Sequence, residues 1–236
     1  TSLLPFFSTG SNILLIITVA ALALLVWVII KKQGDAIIPA PAFKNRNVLA
    51  FTAANFCANF SNMAAFFFLP SFIIYVIGGT GSDSGLVMAC FSVAGIFLGP
   101  IVGKAIAKSG TAKSMLMVNG ALRAILMVVL VFILGPNTPI WMLMLFMLCA
   151  GIYNGVNGPC FSAGPQLQLP SDLRVQGNSL IQCGQNFGSG VGTAIYTAII
   201  GVFGITGGMP IALIVAAIFG AMICICAVFL QKLESN

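Results

Sequence analysis

The side chains available for chemistry in this chain are one intramembrane guanidinium and a set of amides. Arg123 lies within the apolar stretch 114–134, about 15 Å from its start at roughly 1.5 Å per residue. A charge at that depth costs at least ~2.5–3.5 kcal/mol against lipid, so Arg123 is expected to face protein or water. An interior that can solvate a guanidinium can hold a polar ligand. Asn119 lies one turn earlier and shares its face. Two accounts of Arg123 compete: a structural tie to amides and carbonyls of neighbouring helices, or an anion-attracting or gating group on a substrate path. We adopt the second as the expectation.

The amides fall into stripes. Thr52, Asn55, Asn59 and Asn62 gather within about 80° of a helical arc at 100° per residue. Asn178, Gln182, Gln185, Ser189, Thr193 and Tyr196 form a second stripe, with Asn186 beside it. Asn154 and Asn157 could join them from a further helix. Such stripes either glue helices together or line a cavity, and cavity lining is the expectation for these. Their chemistry is hydrogen bonding to a small molecule. Histidine is absent, and the four acids lie outside the apolar runs. General acid–base catalysis and metal ligation therefore lack their usual residues, so no enzyme activity, cofactor or metal is expected.

These residues must be positioned by membrane helices. Hydrophobic residues make up 59% and charged ones 6% of the 236 positions, against roughly a quarter charged in soluble domains. Seven apolar runs are long enough to span a bilayer, at about 11–30, 48–76, 84–106, 114–134, 140–161, 176–202 and 209–230. They are too continuously apolar for barrel strands, so an all-α polytopic membrane protein is expected. The positive charge is thinly spread at run ends and forms no patch for nucleic acid. Lys31, Lys32, Lys44 and Arg46 lie in the first connection, Lys104, Lys108 and Lys113 in the third, and Arg174 in the fifth. Lys232 is in the tail, and the even-numbered connections carry no Lys or Arg. This alternation predicts an outside N-terminus and a cytoplasmic C-terminus, in what is expected to be a bacterial plasma membrane.

Gly184, Gly188 and Gly192 lie about 100° from the polar stripe on their helix, a spacing that lets a neighbour approach closely. Gly95, Gly99 and Gly103, and Gly151 with Gly155, read as packing devices too. Pro100 and Pro159 fall where a span would bend, either as simple kinks or beside a substrate path. The seven cysteines lie in or beside apolar runs and read as small hydrophobes.

Two readings of the odd number of runs remain. One is a seven-helix sensor or receptor, or an interaction subunit without transport. The other divides the chain into a helix from a preceding half or linker (1–33), a cytoplasmic link (34–47) and a six-helix C-terminal bundle (48–236). The latter would be part of a longer transporter whose N-terminal half is missing here.

The connection from Gly103 to Lys113 is similar to the loop motif of the major facilitator superfamily, which reads Gly-x-x-x-Asp-Arg-x-Gly before further basic residues. Gly103, Lys108, Gly110 and Lys113 match in kind, while Ala107 stands at the aspartate position. Phe43-KNRNV, Gly151-x3-Gly155-x3-Pro159 and Gln185-x2-Gly188-x3-Gly192 follow in order. Together they resemble the fourteen-helix drug:proton antiporter branch, with a twelve-helix member as the near alternative. The resemblance implies export of small amphipathic or drug-like compounds by alternating access, driven by proton influx. The acids expected to carry protons would belong to the absent first bundle.

Overall fold

The computed structural model describes residues 43–231, so the run at 11–30 and the proposed link as far as residue 42 lie outside the described residues. Helix α1 spans Arg46–Phe72, its first turn capped by the Asn45 side chain, which accepts from the N–H groups of Asn47 and Val48. Pro70 withdraws one donor from the ladder, and the chain then widens into a π turn over Ile73–Ile77. Helix α2 spans Gly81–Ser109 behind a reciprocal cap between Thr80 and Asp83. Gly110, at φ 68°, ends it by donating to the Ile106 carbonyl. Helices α3 and α4 span Lys113–Ile133 and Ile140–Gln168.

The last helical run, α5, covers the 55 residues Arg174–Val228. At roughly 1.5 Å per residue it would be about 80 Å long if straight, more than twice a ~30 Å hydrocarbon core. It is not straight. Gly204 sits at φ 71° and ψ 167°, outside the helical region. Gly208 then packs against the backbone of Ile199 and Ile200, so the chain doubles back. The arms 174–203 and 205–228 are two crossings. Among the described residues, the 5 helices long and apolar enough to cross a membrane therefore divide into six segments, at the positions of the six apolar runs between 48 and 230.

Three helix pairs are drawn together by missing side chains. Gly184, Gly188 and Gly192 lie against the backbone of Thr52, Phe56 and Phe60, seating the first arm of α5 on α1. A Cβ on Gly155 would meet the Gly95 Cα at 3.1 Å, and Gly151 abuts Phe91 and Ala94, which joins α2 to α4. Gly120 abuts Gly220 and Cys224, joining α3 to the second arm. Of the expected glycine row on α2, only Gly95 makes such a close contact. Gly99 has open space around it, and Gly103 only just meets Pro159.

The outer faces of α3 and the second arm are apolar, presenting Val118, Ile125, Val129 and Phe132 beside Ile211, Ile214, Ile218 and Ile225. They are suited to lipid.

Candidate functional site

The candidate residues divide into a buried set and an open set. Asn55 is buried and donates through Nδ2 to the Ile181 carbonyl at 3.0 Å. Asn59 donates to the carbonyl and Oδ1 of Asn55 at 2.9 and 2.8 Å. Asn55 thus bonds across the contact between α1 and α5, and Asn59 is tied to Asn55 on its own helix, so in this conformation neither donor group is free for a ligand. The reason is the glycine row opposite. It brings a foreign backbone so close that a short amide reaches the Ile181 carbonyl directly. Asn62 is only half-buried, although its Oδ1 is enclosed without a partner.

Arg123 is also enclosed, at 1% exposure. One terminal nitrogen donates to the Ala58 carbonyl of α1 at 2.7 Å, and the other reaches Asn157 Oδ1 of α4 at 3.5 Å. Its Cζ stands 4.2 Å from the centre of the Tyr153 ring, a cation–π arrangement that offsets part of the lost hydration. Asn119 does not bind Arg123. Its Nδ2 donates to the Tyr153 carbonyl at 2.8 Å, so it fixes the helix that carries the aromatic partner. In this conformation Arg123 ties α1, α3 and α4 together and does not itself line an open path.

The open set lies on α4 and the first arm of α5. Gln182 and Asn186 are exposed, and Gln185, Asn154 and Asn157 are half-buried. Because the glycines of the first arm face α1, its amides point away from that contact. Amides bare to hydrocarbon are costly, so this face is suited to water or to another polar protein surface. Beside it, a groove of about 390 Å³ runs between α2 and α4. Asn154 and Ser92 give the groove polar groups, while Gly99 and Gly158 keep it open.

The loop motif lies at the basic end of the bundle. Lys108 is exposed, Gly110 supplies the left-handed cap, and Lys113 Nζ donates to the Val228 carbonyl at 3.1 Å. The fully buried Gln168 nearby was missed in the sequence. Its Oε1 accepts from the Ala112 N–H at 2.7 Å, and its Nε2 donates to the Gln231 carbonyl at 3.0 Å. Asn47 Nδ2 donates to the carbonyls of Gln168 and Gln231, and its Oδ1 accepts from the Gln231 N–H. This clasp joins the start of α1, the α2–α3 turn, the end of α4 and the end of α5. Only its residue types, two amides beside helix ends, could have signalled it.

Comparison with known proteins gives two findings. The family model described as Major Facilitator Superfamily matches residues 3–193 and, overlapping them, 51–235. A protein of Streptomyces rimosus described as a tetracycline resistance determinant is 27% identical over 177 residues, covering 75% of this chain and 50% of that protein. The chain thus spans about half the length of the curated relative it matches. No solved structure matches it.

Proposed function

The chain belongs to the major facilitator superfamily, and from that premise we propose that it forms the C-terminal half of a proton-coupled exporter of small amphipathic or drug-like compounds. The observation that carries this reading is the division of its outer surface. The outer faces of α3 and the second arm of α5 expose apolar side chains and no amide, whereas α4 and the first arm place Asn154, Asn157, Gln182, Gln185 and Asn186 among exposed apolar residues such as Ile152 and Phe187. The amide face then forms one wall of a midplane cavity whose other wall comes from the preceding half of the protein. The similarity to a tetracycline resistance determinant supports a drug-like substrate. Proton carriage falls to the preceding half, because the acids among the described residues, Asp83 and Asp172, lie at helix ends.

Mechanically, the three glycine-seated pairs and the Arg123 tie make this half a body able to rock as a unit. The amides offer both donors and acceptors to a ligand without discharging a proton gradient.

The test is transport by the full-length protein in everted membrane vesicles. Gln182→Leu with Asn186→Leu removes two ligand contacts worth roughly 1 kcal/mol each, so transport efficiency is expected to fall about tenfold or more at unchanged expression. Undiminished transport by that double variant would remove the amide face from the substrate path. Export that continues after the proton gradient is collapsed would refute the coupling.

A further inference from the structure

We infer that the guanidinium of Arg123 is the anchor of an anion site, opened from the amide face when the Asn157 side chain swings aside, and that the group it takes is a carboxylate. This rests on the amide face being a ligand wall, and it specifies the class of compound received there.

The unused bonding capacity of Arg123 carries the argument. A guanidinium has five N–H donors. One terminal nitrogen is committed to Ala58 at 2.7 Å. The edge formed by Nε and the other terminal nitrogen is scarcely used: among the described residues Nε has no partner, and the second nitrogen has only the 3.5 Å contact to Asn157. That edge is one on which a carboxylate docks with two parallel hydrogen bonds.

The charge is unmatched as well. Arg123 is enclosed, and the nearest compensation among the described residues is a carbonyl, an amide and an aromatic face. Neutral partners do not cancel a full charge in a low-dielectric interior. Other buried groups nearby lack partners too. Asn119, on the same helix face, keeps a free Oδ1. The buried Tyr196 hydroxyl likewise has no partner among the described residues.

Access is the remaining requirement. Ala58 and Tyr153 are buried, but Asn157 is half-buried and belongs to the amide face. Its amide oxygen occupies the edge that a carboxylate would take, at a distance that makes it a weak competitor. Rotation of one side chain exchanges a neutral acceptor for a charged one.

The test uses the purified full-length protein, with benzoate as an amphipathic carboxylate and benzamide as its neutral counterpart. Thermal unfolding is followed at constant pH and ionic strength. Benzoate is expected to raise Tm saturably and benzamide not to. Arg123→Gln should lose the benzoate response, and Asn157→Ala should lower the half-saturating concentration several-fold by removing the competitor. If Arg123→Gln does not fold, Asn157→Asp replaces it: a carboxylate in the chain fills the edge, raises Tm and abolishes the benzoate response. Equal responses to both probes, no response to either, or a benzoate response that survives Arg123→Gln or Asn157→Asp would overturn the site. An acid from the preceding half already seated on Arg123 would make benzoate silent and Asn157→Asp destabilising, which also overturns it. Transport of a neutral compound that still depends on Gln182 and Asn186 would leave the amide-face reading standing without this one.

Discussion

Replacing Gly188 with alanine should separate α1 from α5, whereas the same change two residues later should not. An added Cβ at Gly188 would collide with the Phe56 carbonyl oxygen and stand 3.0 Å from its Cα. Ordinary contacts of this kind begin at about 3.4 Å, and both obstacles are backbone, so a helix must move. Overpacking of this sort costs about 1–3 kcal/mol. The displacement also stretches the Asn55 bond to Ile181, now 3.0 Å. An interhelical hydrogen bond in a membrane protein is worth ~0.6 kcal/mol on average and up to ~1.7. Alanine returns about 1 kcal/mol of helix propensity, leaving a net loss of about 1–3 kcal/mol. At Gly190 nothing lies within 4 Å of the added atom. Only the propensity gain then remains, so Gly190→Ala should be neutral or slightly stabilising. The assay is thermal or denaturant unfolding of the full-length protein in detergent, with both variants measured side by side. Equal stability of the two would refute the claim that the glycine row sets the distance between these helices.

Two further predictions concern the ends of the bundle. Single cysteines placed at Ser109 and Asn137 in a background without the native cysteines should label from opposite sides, Asn137 from outside intact cells. Labelling of Ser109 by an impermeant reagent applied outside would reverse the orientation read from the basic residues. Asn47→Ala removes the bonds to Gln168 and Gln231 and should cost about 1–3 kcal/mol, seen as a lowered unfolding midpoint and faster hydrogen exchange at Gln231. Lys113→Met loses only an exposed contact to Val228 and should change stability by less than ~0.5 kcal/mol; similar effects from the two changes would mean that the clasp adds nothing beyond surface polarity.

The spans were legible because a bilayer demands long apolar runs, and nothing soluble produces six of them in succession. The break near Gly204 falls in the gap between the runs 176–202 and 209–230 for the same reason, and the structure places it at that glycine within 55 otherwise helical residues. On the first arm of α5 the glycines meet a neighbouring backbone as their spacing implied, but Tyr196, counted with the polar stripe, is buried against Phe60 and Phe68 of the same helix α1. Helical spacing says which residues share a face, but not which neighbour that face meets. Thr52, Phe56 and Phe60 receive the glycines of α5, so Asn55 comes within reach of the Ile181 carbonyl and in turn holds Asn59. A row of small residues seeks a partner backbone, and that backbone's helix brings its own polar groups into the seam. Gly120 and Gly220 were missed because each is a lone glycine, and closeness here is a property of the pair.

Arg123 shows the same limit from the opposite direction. Its own helix announces a charge that must be solvated, and Asn119 is the evident neighbour. The solvating groups instead come from Ala58 on α1 and from Tyr153 and Asn157, four residues apart on α4. Two positions four apart stand above one another on a helix, so α4 offers the guanidinium an aromatic ring and an amide in successive turns. The ring is enclosed and the amide is not. That asymmetry joins the two accounts of Arg123 that the sequence left competing. The Ala58 bond and the Tyr153 ring hold the side chain in the bundle as a tie would, while the edge beside Asn157, held only by a 3.5 Å contact, is the one a ligand would take once that amide moves.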